Sequence, residues 1–393
     1  MRVYAKITKG ICIRITENIC MTKNLVVGAG FSGAVMANLL AEELGEEVLV
    51  IDKKDHIAGN CYDYRDENGI MIHKYGSHIF HTKSEKVWNY IRKFTDFNTY
   101  MHKVIGILDG IETHIPFNLN TLYDVFPNSF ATKLEEKLLD VFAINTKVPI
   151  LEFQKQDDDD LKFLANYVYE KIFLYYTTKQ WGVSPKEVDG AVTARVPVYL
   201  SKDNRYFQDR FQGIPLEGYT KVVERILDNK NIKIKLNTEY KDINPDDFDR
   251  IFYTGPIDEF FEYKYGALPY RSVNFKFETY NKPYYQSAAC VNYPCNYDFT
   301  RIHEYKYYLD DQTDKTVIAK EYSEFFELGK NERYYPIPTE ENDALYRKYF
   351  EDGKRLEKVY FLGRLGDYKY YDMDKAILRA IELFEHIKEK ANG

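Results

Sequence analysis

Apolar residues near the start of the chain follow the pattern of a strand, a helix and a second strand. The short apolar run from Asn24 to Val27 is typical of a buried strand. Small and apolar residues from Phe31 to Leu44 predict a helix, and Glu47 to Ile51 predicts the second strand. This order predicts a β-α-β unit at the opening of the fold.

The middle of the chain changes to a helical pattern, and later segments return to strands. Apolar residues spaced by three and four, as in LKFLANYVYEKIFLYY, predict helices from about Thr121 to Tyr176. Ile232 to Leu236 and Arg250 to Tyr253 are expected to be strands that rejoin the first sheet. The remaining predicted elements are strands at 273–277, 288–292 and 317–322 in a largely antiparallel second sheet, a buried strand at 358–362 and a helix at 375–387.

Composition narrows the class of protein. Apolar residues make up 45% and charged residues 29% of the 393 residues, which is ordinary for a globular protein. The formal net charge of -7 argues against a nucleic-acid or anionic-membrane surface. The uncharged stretch from Leu25 to Ala41 is interrupted by three glycines and is short for a bilayer, so no membrane span is expected.

The cysteines and residues 1–20 indicate the cellular compartment of the protein. Five cysteines, an odd number without paired C-x-x-C spacing, argue against a disulfide framework or a zinc site and favour a reducing, cytoplasmic compartment. Residues 1–20 lack the apolar region of a signal peptide and are interpreted as an N-terminal extension. That extension is either a misassigned start or an extra edge strand.

A glycine motif lies between the first predicted strand and helix. Gly28, Gly30 and Gly33 match G-x-G-x-x-G, in which the first glycine allows the tight turn and the second lets a pyrophosphate approach the backbone. The third glycine lets the helix pack closely on the strand. Asp52 ends the second strand, where an acid binds the adenosine ribose of a dinucleotide.

Two further stretches favour FAD over NAD. The residues after Asp52 include Lys53, Gly59 and Asn60 and resemble the extension of FAD-binding reductases and amine oxidases. Ala58 stands where those proteins carry the first of two glycines, so the close backbone approach rests on Gly59. The late stretch FLGRLGD at 361–367 is a strand running into a glycine turn, as in FAD proteins with split domains.

These observations define the expected fold class. It is α/β, with an FAD-binding Rossmann-type domain interleaved with a helical domain and a mostly antiparallel β-sheet domain. The FAD-binding domain is expected to consist of residues 21–100, 205–258 and 351–393. Residues 101–204 are expected to form a mainly helical substrate domain with a mobile loop near 182–198, and residues 259–350 the antiparallel sheet domain.

Many stretches together resemble the bacterial UDP-galactopyranose mutase family from about Lys23 to Ile387. They include VVGAGFSGAV at 26–35, YGSHIFHT at 75–82, TTKQWG at 177–182 and ARVPVY at 194–199. They continue with RYFQDRFQGIPLEGYT at 205–220, YTGPID at 253–258, TRIHEYK at 300–306, YYPIP at 334–338 and GRLGDYKYYDMD at 363–374.

The resemblance implies an isomerase with an unusual use of its cofactor. The family interconverts UDP-galactopyranose and UDP-galactofuranose without net redox change, and supplies galactofuranose for surface polysaccharides. It needs reduced FAD, whose N5 atom attacks the anomeric carbon while UDP departs. The family also implies NAD(P)H as the reductant, UDP-galactose as the substrate and a homodimer, with no metal.

The resemblance also implies roles for individual residues. Arg195, on the mobile loop, and Arg301 match the family's diphosphate arginines, which implies both a substrate-binding and a catalytic role as UDP departs. The remaining substrate-binding positions are aromatic: Tyr176, Trp181, Tyr206, Tyr335 and Tyr370. The cofactor-binding positions are Gly28, Gly30, Phe31, Ser32, Gly33, Asp52, Lys53, Gly59, Asn60, His78, Arg364 and Asp372.

Several assignments leave alternatives open. His78 is expected to shape the flavin pocket and to take part in catalysis, whereas His81 is either a pocket residue or a buried core histidine. Arg271 is a further candidate on the substrate side. One rival function is a conventional FAD-dependent oxidoreductase of the amine-oxidase type, which does not account for paired arginines in a diphosphate site. The other is a non-catalytic nucleotide-sugar sensor, which a degraded set of aromatic residues and arginines would favour, whereas the set is intact in this sequence.

Overall fold

The computed structural model describes residues 23–182 and 197–392. The predicted extension at residues 1–20, Arg195 and most of the loop predicted near 182–198 lie outside the described residues. Within the described ranges, no helix combines the length and the apolar character needed to cross a membrane. The predicted α/β class is confirmed.

The first part of the chain consists mainly of short strands. Its elements are β1 (Lys23–Val27), α1 (Phe31–Glu43), β2 (Glu47–Ile51), β3 (Asp63–Arg65), β4 (Met71–His73), β5 (Phe80–Thr82), α2 (Glu85–Ile91), β6 (Val104–Leu108) and β7 (Ile111–Ile115). The predicted strand-helix-strand opening is confirmed, because β1, α1 and β2 begin and end within one residue of the predicted bounds.

The middle part is mainly helical, as predicted. Its elements are α3 (Leu119–Val125), α4 (Asn128–Val141), β8 (Lys147–Val148), α5 (Ile150–Phe153), α6 (Asp159–Val168), a π-helical turn (Tyr169–Leu174), α7 (Tyr175–Trp181), β9 (Val198–Tyr199), β10 (Phe211–Gly213) and α8 (Tyr219–Leu227). The helix α6 begins at a polar cap, because the Asp158 side chain accepts from two N–H groups of its first turn.

The last part alternates strands and helices. Its elements are β11 (Ile232–Lys235), β12 (Arg250–Tyr253), α9 (Ile257–Phe260), β13 (Tyr270–Tyr280), β14 (Cys290–Asn292), β15 (Arg301–Glu304), α10 (Lys306–Leu309), β16 (Thr316–Phe325), β17 (Tyr335–Pro336), α11 (Glu340–Gly353), β18 (Val359–Phe361), α12 (Gly363–Gly366) and α13 (Met373–Asn392).

The first sheet is parallel and is built from distant parts of the chain. Its strand order is β11-β2-β1-β12-β18, so β1 lies in the centre and β18 at one edge. One apolar core joins α1, α2, α8 and α13 to this sheet, with Val26, Val48, Val50 and Phe252 buried beneath the helices. The expectation that β11 and β12 rejoin the first sheet is therefore confirmed.

The second sheet has seven strands in the order β17-β13-β16-β15-β14-β6-β7. Its pairs are antiparallel except for β14 with β6, so the expectation of a mostly antiparallel sheet is confirmed. The expectation that residue 101 begins a mainly helical unit is wrong at its start, because β6 and β7 belong to this sheet. The helices α3 to α6 pack against these two strands.

Candidate active site

A cavity of about 580 Å³ lies beside the glycine turn between β1 and α1. Its walls come from that turn, from the residues that follow β2 and β12, and from α12. Open α/β sheets bind ligands in this position, outside the carboxyl ends of their strands. The residues predicted to bind the cofactor all line it: Gly28, Gly30, Phe31, Ser32, Gly33, Asp52, Lys53, Gly59, Asn60, His78, Arg364 and Asp372.

Two glycines of the turn are required by the packing of the protein itself. Gly28 has a φ of 106°, and a Cβ at this position would lie 2.0 Å from Thr254 Oγ1. A Cβ on Gly33 would lie 1.9 Å from the carbonyl oxygen of Gly28. A side chain at either position would push α1 away from β1 or distort the turn.

Gly30 is different, because the protein leaves room beside it. A Cβ there would come no closer than 3.8 Å to Gly59 Cα, which is ordinary van der Waals contact. Ala58 adopts a φ of 69°, in the left-handed region that favours glycine, and Gly59 has a φ of 55°. Both glycines line the cavity, so its space next to the backbone is available to a pyrophosphate.

The amino end of α1 and the Asp52 carboxylate give the cavity its polar groups. The first turn of α1 has no side-chain cap and no acidic residue. Its free N–H groups and its dipole are therefore available to attract an anion. Asp52 accepts hydrogen bonds from the N–H of Ala29 at 2.8 Å and from the N–H of Lys54 at 2.9 Å. Each carboxylate oxygen can accept a further bond, so these residues fit the pyrophosphate and a ribose hydroxyl of a dinucleotide.

The sequence did not predict the opposite wall of the cavity. This wall includes Thr254, Glu259, Arg333 and Tyr334. Arg333 is buried, and its Nη1 donates to Glu259 at 2.9 Å. A signal was present in YTGPID at 253–258, which follows β12 as the glycine turn follows β1.

His78 lies on the cavity wall with a neutral ring. Its Nδ1 is 2.7 Å from the carbonyl oxygen of Gly76, and because a carbonyl only accepts, Nδ1 carries the proton. Burial, followed by the nearby His73 and Arg364, lowers the pKa of His78 to about 3. The main-chain carbonyl of His78 accepts the Tyr219 hydroxyl at 3.0 Å.

His81 has a different environment. Its Nδ1 lies 2.5 Å from Asp209 Oδ2, and its ring stacks on Phe207 with centroids 3.6 Å apart. His81 does not line the cavity.

Three of the predicted substrate residues form an aromatic cluster, defined as Trp181, Tyr335 and Tyr370. Their ring centroids lie 5.1 Å to 6.0 Å apart. The Arg364 guanidinium lies 5.3 Å from the centroid of Tyr335 and 5.4 Å from that of Tyr370. Since Arg364 also lines the cavity, it connects the cavity to the aromatic cluster.

Arg301 begins β15 and is held by a buried carboxylate. Its Nε donates to Glu321 Oε2 at 2.9 Å. Burial opposes both charges, but their attraction outweighs it: the pKa of Arg301 is raised above its ordinary value and that of Glu321 is lowered to about 2. The Arg301 side chain remains 27% exposed, which leaves part of the guanidinium accessible to an anion.

Tyrosines surround Arg301. Tyr176 and Tyr335 both interact with it electrostatically, and burial raises the pKa of each phenol. Both phenols therefore keep their protons at neutral pH and can donate to phosphate oxygens. Tyr206 interacts with Tyr176, and its ring lies 5.7 Å from that of His102.

Lys179 fixes α7, the helix that carries Tyr176 and Trp181. Its Nζ donates to three carbonyl oxygens of the turn before β15, those of residues 293, 297 and 299, at 2.5, 3.2 and 3.1 Å. Burial lowers the pKa of Lys179 to about 8. The ammonium therefore links α7 to the turn that leads into Arg301.

Arg271 fixes the other side of α7. Its guanidinium donates to the carbonyl oxygens of Lys179 and Gln180 at 3.0 Å each, and to Ser323 Oγ at 3.1 Å. Its side chain is buried and does not line the cavity. Arg271 therefore holds the carboxyl end of α7, the helix that carries the predicted substrate residues Tyr176 and Trp181.

A family model and similar sequences identify the enzyme family of this chain. The family model described as UDP-galactopyranose mutase matches residues 171–370, which contain the aromatic cluster and Arg301. A Klebsiella pneumoniae protein named "Probable UDP-galactopyranose mutase" is 39% identical over 91% of this chain and 92% of its own length. The chain belongs to the UDP-galactopyranose mutase family.

Further comparisons agree with this membership. A model for the NAD(P)-binding Rossmann-like domain matches residues 26–94 of this mutase-family chain. The dTDP-fucopyranose mutase of Escherichia coli is 36% identical over 92% of this chain and 97% of its own length. A crystal structure of reduced UDP-galactopyranose mutase has the same fold, with a TM-score of 0.68 over 95% of both chains at 16% identity. The predictions of family and of isomerase class are confirmed.

Proposed function

We propose that this protein binds FAD in the cavity and, with the cofactor reduced, interconverts UDP-galactopyranose and UDP-galactofuranose. The observation that carries the proposal is the aromatic cluster joined to the cavity by Arg364, with Arg301 close to Tyr335. A dinucleotide site alone fits many oxidoreductases. A cationic and phenolic site beside it fits a nucleoside diphosphate sugar.

The residues of the cavity suit FAD. The N–H groups at the start of α1 and the space at Gly30 would hold the pyrophosphate, and Asp52 the adenosine ribose. His78, Arg364 and Asp372 would flank the flavin ring, with the neutral His78 adding no charge beside it. Reduced flavin supplies a nucleophilic nitrogen to this site when it is bound.

The remaining residues would bind the nucleotide sugar and assist the departure of UDP. The Arg301 guanidinium and the phenols of Tyr176 and Tyr335 can donate to the diphosphate, which gains negative charge as its bond to the sugar breaks. Arg195 is assigned to the same diphosphate only by its match to the family motif ARVPVY. Trp181, Tyr206 and Tyr370 would complete the pocket.

The partners of the reaction follow from the family. NAD(P)H is the proposed reductant, the homodimer the proposed assembly, and the cytoplasm the proposed compartment, in keeping with free thiols at Cys61, Cys290 and Cys295. The galactofuranose product would serve surface polysaccharide synthesis.

Product analysis tests the proposed function. Dithionite-reduced protein is incubated with UDP-galactofuranose, and the UDP-sugars are separated by chromatography. We expect conversion to UDP-galactopyranose only by the reduced protein, with no reductant consumed per turnover. Oxidation of the sugar with stoichiometric flavin reduction would instead establish the oxidoreductase function.

The same experiment compares sugar nucleotides. The E. coli relative is named a dTDP-fucopyranose mutase, so dTDP-fucopyranose is tested beside UDP-galactopyranose and its N-acetylated analogue. We expect the highest kcat/KM with UDP-galactopyranose. A preference for dTDP-fucopyranose would retain the reaction type and change the substrate.

A further inference from the structure

We infer that His303 is a positioning residue, which orients Glu321 so that Arg301 faces the diphosphate with its terminal nitrogens. The inference rests on the proposed function, because it concerns the diphosphate site. It is carried by one chain of hydrogen bonds, the Tyr308–Arg301 chain, which is defined by Tyr308, Ser77, His303, Glu321 and Arg301.

The Tyr308–Arg301 chain is continuous, and its central residues His303 and Glu321 are closed to solvent. The Tyr308 hydroxyl lies 2.5 Å from Ser77 Oγ, which lies 2.7 Å from His303 Nδ1. His303 Nε2 lies 2.8 Å from Glu321 Oε2, the atom that also accepts from Arg301 Nε at 2.9 Å. His303 and Glu321 are each only 2% exposed, so water does not replace these bonds.

Only one arrangement of protons satisfies the chain with a neutral imidazole. Burial is the main cause that lowers the pKa of His303, so the ring is neutral at pH 7. The Glu321 carboxylate only accepts, so His303 Nε2 carries the proton and Nδ1 accepts from Ser77. The Ser77 oxygen in turn accepts from Tyr308. The ring is thereby held as a donor to Glu321.

The Tyr308–Arg301 chain determines which nitrogen of Arg301 donates to the Glu321 carboxylate. A carboxylate and a guanidinium often form two parallel hydrogen bonds, which occupy the fork that would otherwise bind phosphate. Here the Thr300 hydroxyl lies 3.1 Å from the main-chain carbonyl oxygen of Glu321 and 3.2 Å from its Oε1, and His303 donates to Oε2. His303 holds Glu321 Oε2 where it accepts from Arg301 Nε, and the terminal nitrogens of Arg301 can turn to a diphosphate.

A matched pair of substitutions tests the donor role of His303. In His303→Gln the amide nitrogen can take the position of Nε2 and reach Glu321, whereas in His303→Asn the shorter amide reaches only Ser77. We expect the dissociation constant for UDP, measured calorimetrically on the flavin-containing protein, to rise about tenfold in His303→Asn and less than threefold in His303→Gln. The KM for the sugar nucleotide should rise in the same order, whereas kcat changes less.

Ser77→Ala is the control on the other side of the ring. It removes a buried hydroxyl from the same chain but leaves the bond between His303 and Glu321, so UDP affinity should change less than threefold. Equal weakening by the Gln, Asn and Ala variants would overturn the inference, because packing alone would then explain the effect. Unchanged UDP affinity in His303→Asn would overturn it as well.

Two further measurements separate this role from folding and from the proposed function. In an Arg301→Lys background, which lacks Nε and the planar fork, His303→Asn should have little further effect on UDP affinity, since His303 acts through the Arg301 guanidinium. If His303→Asn loses its flavin, Glu321→Gln, which keeps the volume of the side chain, should weaken UDP binding instead, and normal UDP affinity there contradicts the inference. Failure of the unsubstituted protein to bind UDP overturns the proposed function and the inference together, whereas UDP binding that no variant alters overturns the inference alone.

Discussion

Two glycines only three residues apart serve different purposes in the turn after β1. Gly33 is required by the protein, since a Cβ there would lie 1.9 Å from a carbonyl oxygen. Gly30 has a φ of -77°, which any residue can adopt, and nothing lies within 3.8 Å of its Cβ position. Glycine is therefore needed at position 30 only for a ligand in the cavity and not for the packing of the protein.

This difference gives the first prediction. Gly30→Ala should keep the melting temperature of the flavin-free protein but lose most of its bound flavin, because the methyl group takes space needed by the pyrophosphate. Gly33→Ala should lower both the melting temperature and the flavin content. The measurements are flavin absorbance per protein and thermal unfolding after the flavin is removed. Full flavin content in Gly30→Ala would contradict the cofactor assignment.

Arg301 provides the second prediction at this scale. Arg301→Lys should reduce kcat/KM of the reduced enzyme by about ten- to a hundred-fold, because lysine lacks the planar fork and loses charge-assisted bonds of about 1.5–3 kcal/mol. Lysine is preferable to alanine, since it leaves the buried Glu321 with a positive neighbour. Arg205→Lys is the control: Arg205 pairs with Asp203 and is 40% exposed. A normal kcat/KM in Arg301→Lys would remove this arginine from the diphosphate site.

At the scale of the element, α7 depends on ionic side chains that bind main-chain oxygens. Lys179→Met should lower the free energy of unfolding by about 1–3 kcal/mol, because carbonyl oxygens of the turn before β15 lose a half-buried, charged donor. UDP affinity should fall too, since α7 carries Tyr176. Lys155→Met, at a side chain 67% exposed, is the control and should change the free energy by less than about 0.5 kcal/mol. Equal effects of the two substitutions in urea unfolding would contradict the role of Lys179.

The elements also differ in how well the sequence predicted them. β1, α1, β2 and β12 have local signals, namely apolar runs bounded by glycine or charge, and their bounds were predicted within one residue. β6 and β7 were missed because their place in the second sheet depends on β14, about 180 residues further along the chain. An apolar run indicates burial but does not identify the partner strand.

The same limit applies to the candidate site. The glycine turn and Asp52 are close in sequence and follow a known pattern, so they were predicted and line the cavity. Ser77, His303 and Glu321 come from three separate segments, and only the fold brings them together. No spacing in the sequence indicates such a contact.

At the scale of the whole molecule, buried histidines determine the response to acid. His73 and His102 are 1% and 4% exposed, and burial lowers the pKa of each to about 3. Between pH 6.5 and 3 the unfolded chain binds protons that the folded protein does not, so stability falls as the pH falls. From pH 7 to pH 5 the two residues together should remove about 2–4 kcal/mol.

Urea unfolding at pH 7, 6 and 5 measures this loss. His102→Gln should reduce the dependence on pH by about half of the two-histidine contribution, because one titrating group is removed. His386→Gln, at an exposed position on α13, should leave the dependence unchanged. Stability that stays constant between pH 7 and pH 5 would contradict the neutral, buried state of His73 and His102.

The parallel sheet, in which β18 pairs with β12 beside the central β1, has a consequence for biosynthesis. The cavity is lined by residues from Val27 to Ala376, so its walls are incomplete until the ribosome has translated nearly the whole chain. The helix α13 must also emerge before the apolar surface of α1 is covered. If the cavity holds a flavin as proposed, its insertion is a late event in the synthesis of the polypeptide. A product terminated before α12 would then be colourless and would expose an apolar surface that chaperones and proteases recognise.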